Sequence, residues 1–150
     1  MKQNILLLAV FCQGMHANAE EVGISCIAAF LRKQNHEVDL RGIRIQDIVI
    51  EDLLKKKPDY IGIPVYEINH QAVYALCRDI KDYLPHTKII VGGVYPTYKG
   101  RSMLKKCPHI DFAVKGEGEY TILELIEGKP LSSIDGLIYR TNAKIIENKE

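Results

Sequence analysis

Apolar residues follow two alternating patterns along the chain. Short continuous apolar runs, typical of strands covered on both faces, are separated by segments with apolar residues three or four positions apart, typical of amphipathic helices. The predicted strands are residues 4–11, 36–40, 59–65, 88–91 and 110–114. The first predicted helix begins at Asn18 or Ala19 and ends near 33–35, and the others cover 46–57, 69 or 70 to 83, 99–106 and 120–127.

This alternation predicts an α/β fold of the flavodoxin-like (Rossmann-like) class. We expect three layers and a doubly wound, parallel five-stranded sheet, because right-handed crossovers favour the strand order 2-1-3-4-5. Two further apolar runs, 134–139 and 144–146, flank a turn at Thr141 and Asn142 and predict a C-terminal β-hairpin. We therefore assign residues 1–130 to the α/β domain and 131–150 to a hairpin extension, which packs on an edge of the sheet or leads to a neighbouring domain.

Composition narrows the range of partners. The chain has 150 residues, 47% of them hydrophobic, and a formal net charge of +1, which fits one globular domain with a substantial core. Its acidic and basic residues are evenly spread, so we expect neither nucleic acid nor a membrane as a partner. The apolar run at residues 5–11 is too short to span a bilayer and does not fit a signal peptide, which favours a cytoplasmic protein.

The spacing of the cysteines is also consistent with a cytoplasmic protein. The four are Cys12, Cys26, Cys77 and Cys107. They form neither a CxxC pair nor a CxxxCxxC run, so no zinc site or iron–sulfur site is indicated. Cys26 and Cys77 are expected on buried helical faces, and Cys12 in a loop near the predicted pocket.

Two glycine-containing loops lie at predicted carboxyl ends of strands, the edge at which open α/β sheets bind ligands. Residues 92–93 end the fourth strand, Pro96 stiffens the following loop, and residues 116–119 (GEGE) precede the last helix. Together they suggest a broad groove for a large, flat-sided ligand. The alternative for 92–93 is a tight strand-to-helix turn, and for 116–119 a helix entry whose glutamates favour the helix dipole.

Motifs for the common ligands of this fold are absent. Residues 12–17 (CQGMHA) do not form the G-x-G-x-x-G of a dinucleotide site, and no Walker loop is present. The first and third strands end in Phe11-Cys12 and Pro64-Val65, where a receiver domain would need carboxylates. The first loop also lacks the phosphate-binding residues expected for FMN.

Residues 91–97 (VGGVYPT) and 111–121 (DFAVKGEGEYT) together resemble the cobalamin-binding domain of B12-dependent radical SAM enzymes. The likeness also includes residues 59–63, 79–81 and 134–140. It implies that cobalamin lies over the carboxyl ends of the strands, with its nucleotide tail beside the sheet at residues 92–93. The residues that the resemblance places at the cofactor are Gln13, His16, Pro64, Val65, Tyr66, Glu67, Asn69, Gly92, Gly93, Val94, Tyr95, Pro96, Thr97, Gly116, Glu117, Gly118 and Glu119.

The chain departs from related patterns at two positions. Pro64 stands where many B12 domains have a serine that contacts the tail. His16 matches the cobalt-binding histidine of D-x-H-x-x-G, but residues 14–19 (GMHANA) lack the aspartate and the final glycine. Without that aspartate to hold its second nitrogen, His16 is a weak candidate metal ligand, so we expect base-off cobalamin without a protein ligand. The remaining histidines are expected to be solvated: His36, His70, His86 and His109.

The resemblance implies the N-terminal part of a methyltransferase-type radical SAM enzyme. S-adenosylmethionine and a 4Fe-4S cluster would then belong to a neighbouring radical SAM domain, so we expect no catalysis from this chain alone. Two alternatives stay open: a free-standing cobalamin carrier, and an interaction module that has kept the fold but lost the cofactor.

Overall fold

A computed structural model of the protein describes residues 1–16, 21–142 and 144–150. Within these ranges, one mixed sheet of seven strands is covered by helices on both faces. The strands are β1 (Asn4–Phe11), β2 (Glu37–Arg44), β3 (Tyr60–Pro64), β4 (Lys88–Gly92), β5 (Phe112–Val114), β6 (Leu137–Arg140) and β7 (Ile145–Glu147). The helices are α1 (Val22–Lys33), α2 (Ile50–Leu53), α3 (His70–Tyr83), α4 (Val94–Lys106) and α5 (Glu119–Ile126), with short 3₁₀ turns at Ile45–Asp47 and Leu131–Ser133.

The strand order confirms the predicted fold. The order is β2-β1-β3-β4-β5-β6-β7, and the first five strands are parallel. The hairpin β6–β7 continues the sheet, because β6 pairs antiparallel with β5, with Ala113 opposite Ile138. Of the two expected placements, the hairpin thus takes the edge of the sheet, while the domain boundary at residue 130 stays a prediction.

The core has two layers because side chains alternate along the buried strands. Along β1, Leu6 and Leu8 face the layer that contains α3 and α4, whereas Ile5 and Leu7 face the layer that contains α1 and α5. On the α4 side, Gly100 allows close packing, since a Cβ there would lie 2.6 Å from Ile138 Cδ1.

Several helices and strands begin or end at other residues than predicted. α4 begins at Val94 rather than at residue 99, so Pro96 lies in the first turn of a helix, where its missing N–H needs no partner. The helix predicted for 46–57 shrinks to a 3₁₀ turn and the short α2, while β2 extends to Arg44. The predicted start of the first helix, at Asn18 or Ala19, lies outside the described residues.

Two expectations about side chains are wrong. Cys26 is exposed, because α1 buries Ile24, Ala28 and Leu31 and Cys26 lies on the opposite face. His36 is buried: its Nδ1 accepts a hydrogen bond from the Gln3 N–H at 3.2 Å, and its Nε2 has no hydrogen-bond partner among the described residues. Cys77 is buried as expected.

Over the ranges that the structure describes, none of the helices combines the length and apolar character needed to cross a bilayer.

Candidate functional site

A cavity of about 150 Å³ opens at the carboxyl ends of the central strands, between the sheet and helices α1 and α5. Side chains and backbone from β1, β3, β4 and β5 form its floor, the two helices form the opposite wall, and the loops after β3 and β5 form its rim. Its lining residues are Leu7, Glu21, Gly23, Ile24, Ile27, Gly62, Ile63, Pro64, Tyr66, Ile90, Gly92, Gly93, Val114, Gly116, Glu117, Gly118, Glu119 and Ile122.

Glycines determine the shape of this cavity. Among the described residues, a Cβ on Gly92 would have only Val114 Cβ within 4 Å, at 3.9 Å, so glycine here leaves space open. A Cβ on Gly62 would lie 2.7 Å from Leu7 Cδ2, and one on Gly118 would lie 3.2 Å from Ile27 Cδ1. Gly62 therefore leaves room for the Leu7 side chain on the floor, Gly118 allows α1 to lie close to the start of α5, and Gly92 keeps the cavity open.

Thr97 connects the two glycine-containing loops. Its Oγ1 donates a hydrogen bond to the Gly93 carbonyl at 2.8 Å and accepts one from the Gly116 N–H at 3.2 Å. Gly93 has a φ of 94° and Gly116 a φ of 63°, values in the left-handed region that favours glycine. Thr97 thus ties the tight turn between β4 and α4, at Gly93, to the loop after β5.

Asn69 holds the loop after β3. The residue is 1% exposed, its Nδ2 donates to the Val10 carbonyl at 3.0 Å, and its Oδ1 accepts from the Tyr66 N–H at 2.8 Å. Both ends of the amide are therefore used within the protein. Asn69 fixes the β3–α3 loop against the end of β1 rather than lining the cavity.

Tyr66 and Glu21 form a link across the cavity mouth. The Tyr66 hydroxyl donates to Glu21 Oε2 at 2.6 Å, which joins the β3–α3 loop to the start of α1. Burial, followed by the hydrogen bond to Glu21 and its charge, raises the pKa of Tyr66 to about 12. The phenol therefore keeps its proton at neutral pH and remains a donor.

An aromatic pair lies outside the cavity. The His70 ring stacks on Tyr95 with centroids 4.8 Å apart, and its Nδ1 lies 2.6 Å from the Glu67 carbonyl oxygen. His70 is thus half-buried in a set of contacts rather than solvated as expected. These contacts attach the start of α3 to the first turn of α4.

The residues predicted at the cofactor fall into three groups. Those that line the cavity are Pro64, Tyr66, Gly92, Gly93, Gly116, Glu117, Gly118 and Glu119. A second group lies beside the lining residues, in the β3–α3 loop and the first turn of α4, and consists of Val65, Asn69, Tyr95, Pro96 and Thr97. Those exposed around this edge of the sheet are Gln13, His16, Glu67 and Val94.

Sequence reasoning missed the helical wall and most of the floor. Gly23, Ile24 and Ile27 from α1 and Ile122 from α5 reach the cavity only through packing that no local pattern reports. Gly62 did carry a signal, because a glycine inside a buried strand often marks a close approach of other atoms.

The chain is similar in sequence to known proteins. The family model described as "B12 binding domain" matches residues 15–126. An uncharacterized methyltransferase of Pyrococcus horikoshii is 30% identical over 132 residues, covering 83% of this chain and 28% of the relative. An anaerobic magnesium-protoporphyrin IX monomethyl ester cyclase of Synechocystis is 40% identical over 82 residues, covering 52% of this chain and 16% of the relative. The chain therefore spans less than a third of either relative.

A solved structure shares the fold. It is a cobalamin-binding protein from Desulfitobacterium hafniense, which superposes with a TM-score of 0.54 at 18% identity and covers 71% of this chain and 51% of that one. At this identity the likeness supports the fold alone.

Proposed function

Because the chain belongs to the family of B12-binding domains, we propose that it holds cobalamin over the carboxyl ends of its parallel strands, with the nucleotide tail in the cavity beside Gly92. The observation that carries the proposal is the cavity itself, which lies where open α/β sheets bind their ligands. When bound, cobalamin would supply a cobalt ion able to take up and release a carbon ligand.

The lining residues fit such a tail. The floor is apolar, as are Ile24, Ile27 and Ile122 on the helical wall, which suits an aromatic base, and Gly92 leaves unfilled the volume that a side chain would occupy. Pro64 also lines the cavity, so the hydroxyl contact that a serine would give is absent at that position. Backbone groups of the two glycine-containing loops are the candidates for contacts with the corrin.

The test is binding by the purified protein. After mixing with cyanocobalamin and gel filtration, we expect the red colour to elute with the protein. In cyanocobalamin the upper side of the cobalt carries cyanide. This disfavours non-specific retention of the cofactor through a bond between cobalt and a surface histidine or cysteine. Protein that elutes colourless, well separated from free cofactor, would contradict the proposal.

His16 is not expected to bind cobalt. Its side chain is exposed, and it is not among the residues that line the cavity. We expect the His16→Ala protein to bind cobalamin with the visible spectrum of the unmodified protein, because base-off cobalamin has no protein ligand in this proposal. A shift of the cobalt absorption bands in this variant alone, and not in a His109→Ala control, would identify His16 as the lower ligand.

Tyr66→Phe tests the link across the mouth. The substitution removes the hydrogen bond to Glu21 but keeps the ring, so the unfolding free energy should fall by only about 1 kcal/mol. Since the link spans the entrance, we expect cobalamin to enter and leave several times faster. Stopped-flow absorbance measures both rates, with Tyr98→Phe as the control because Tyr98 is 80% exposed and not part of the link. Equal rates in both variants would show that the link does not limit entry.

The parent protein is proposed to be a methyltransferase-type radical SAM enzyme. Support comes from the larger relatives, one of which is called a methyltransferase. In that protein, S-adenosylmethionine and a 4Fe-4S cluster would be bound by a neighbouring domain. A CxxxCxxC motif in the same reading frame beyond Glu150 would support this assignment. A stop codon there would favour the free-standing carrier, and failure to bind any corrinoid would favour the interaction module.

A further inference from the structure

We infer that the cavity selects corrinoids by the polarity of their lower base, and that it prefers a benzimidazole or phenolic base to a purine. This inference rests on the proposed function, since it assumes that the tail enters the cavity. It adds to the proposed function the kind of lower base that the cavity accepts.

The floor of the cavity is apolar and buried. Leu7 is 2% exposed, Ile90 2% and Val114 1%, and all three face the layer of α1 and α5. The opposite wall is formed by Ile24 and Ile122, which are also buried. A base that enters between these walls is therefore surrounded by aliphatic side chains.

The backbone beneath the cavity is already paired. Gly62 lies opposite Leu7 on one side and Ile90 on the other in the parallel ladder, so its strand is bonded to both neighbours. The Gly92 carbonyl accepts from the Val65 N–H at 2.9 Å, and the Gly118 carbonyl accepts from the Ile122 N–H at 2.9 Å. These backbone groups therefore already have a partner within the protein.

Polar side chains among the described lining residues are confined to the rim. Glu117 is exposed and Glu119 is half-exposed, whereas the floor is buried. Glu21 and Tyr66 are bonded to each other. At the floor of the cavity, a hydrogen-bonding group would consequently lose its water without gaining a side-chain partner among the described residues.

The three classes of base differ in this respect. A purine carries an exocyclic amine and several ring nitrogens, each of which is penalised when it is buried unpaired. Dimethylbenzimidazole presents an apolar ring edge with two methyl groups, and a cresol base has no free polar group. We expect the phenolic corrinoid to bind at least about tenfold more tightly than the adenine one, a difference of about 1.4 kcal/mol.

The experiment measures equilibrium dissociation constants of the unmodified protein for four cyano-corrinoids: cobalamin, p-cresolyl cobamide, adeninyl cobamide and cobinamide, which has no base. The cresol base has no nitrogen to bind cobalt, whereas the other bases must leave the metal to enter the cavity. The free energy needed to release the base from cobalt is obtained from the pH-dependent spectrum of each free corrinoid. It is subtracted before the affinities are compared.

A pair of variants tests where the base lies. Val114→Thr adds a hydroxyl to the cavity lining, whereas Val91→Thr adds one to the opposite layer of the core. We expect Val114→Thr to lower the phenolic-to-adenine affinity ratio several-fold and Val91→Thr to leave it unchanged. The four-ligand comparison with the unmodified protein tests the inference even if either variant fails to fold.

The outcomes separate this inference from the proposal beneath it. Corrected affinities in the order cresolyl, then benzimidazole, then adenine support it. An adenine corrinoid that binds as tightly as the cresolyl one, or cobinamide that binds as tightly as both, would overturn base selection while leaving corrinoid binding intact. If none of the four binds, the proposed function itself fails.

Discussion

Replacing Gly92 with valine is expected to weaken cobalamin binding by at least about a hundredfold, or about 2.8 kcal/mol. A side chain at this position extends into the cavity, where, within the described part of the chain, only Val114 Cβ lies close to the new Cβ, at 3.9 Å. The backbone of Gly92 is not in the left-handed region, and valine suits a strand, so the fold should accept the change. Isothermal titration with cyanocobalamin gives the affinity, and thermal unfolding confirms that the variant is folded.

Cobinamide provides the control for this substitution. Because it has no nucleotide tail, its affinity should be nearly the same for the unmodified and the Gly92→Val proteins. Gly92→Ala, which adds a single methyl group, should give an intermediate loss with cobalamin. If the valine variant bound cobalamin as tightly as the unmodified protein, the tail could not occupy the cavity.

Asn69→Leu is expected to lower the free energy of unfolding by about 2–4 kcal/mol, because it leaves two backbone groups without partners. These are the Val10 carbonyl and the Tyr66 N–H, both bonded to the Asn69 side chain. The β3–α3 loop at the cavity rim should loosen as well, so cobalamin affinity should also fall. Chemical denaturation and titration measure the two effects.

Asn148→Leu is the matched control. The Asn148 side chain also makes two hydrogen bonds, to the Leu131 and Ile134 carbonyls, but neither it nor these partners line the cavity. This variant should lose stability and still bind cobalamin normally once folded. Equal losses of affinity in both variants would mean that Asn69 affects binding only through global stability.

Local patterns were sufficient to predict the framework of the fold. The continuous apolar run of β1 and the helical spacing in α3 gave boundaries that match the structure closely, because both elements are long and strongly periodic. Chain order and the handedness of crossovers then gave the order of the parallel strands. The two glycine-containing loops were located for the same local reason.

The remaining features depend on tertiary contacts. The position of β6 beside β5 follows from pairing between distant segments, and the wall formed by α1 and α5 follows from how helices pack on the sheet. Pro96 was misleading because proline is compatible both with a loop and with the first turn of a helix. Asn69 was placed at the cofactor by the family resemblance, whereas in the structure its side-chain amide holds the β3–α3 loop.

The hairpin determines at which edge of the sheet Glu150 lies. β6 runs away from the carboxyl edge of the parallel strands and β7 runs back, so the added strands return the backbone to the edge that contains the cavity. The Gly136 N–H bonds to the Lys149 carbonyl at 2.8 Å, and the Glu150 carboxylate approaches Gly116. A domain or fluorophore joined to Glu150 would therefore begin at the edge of the sheet where we place the cofactor. With one added strand instead of two, the same attachment point would lie at the opposite edge, about 15 Å away. The direction of one short strand thus decides at which edge of the sheet an attached group would begin.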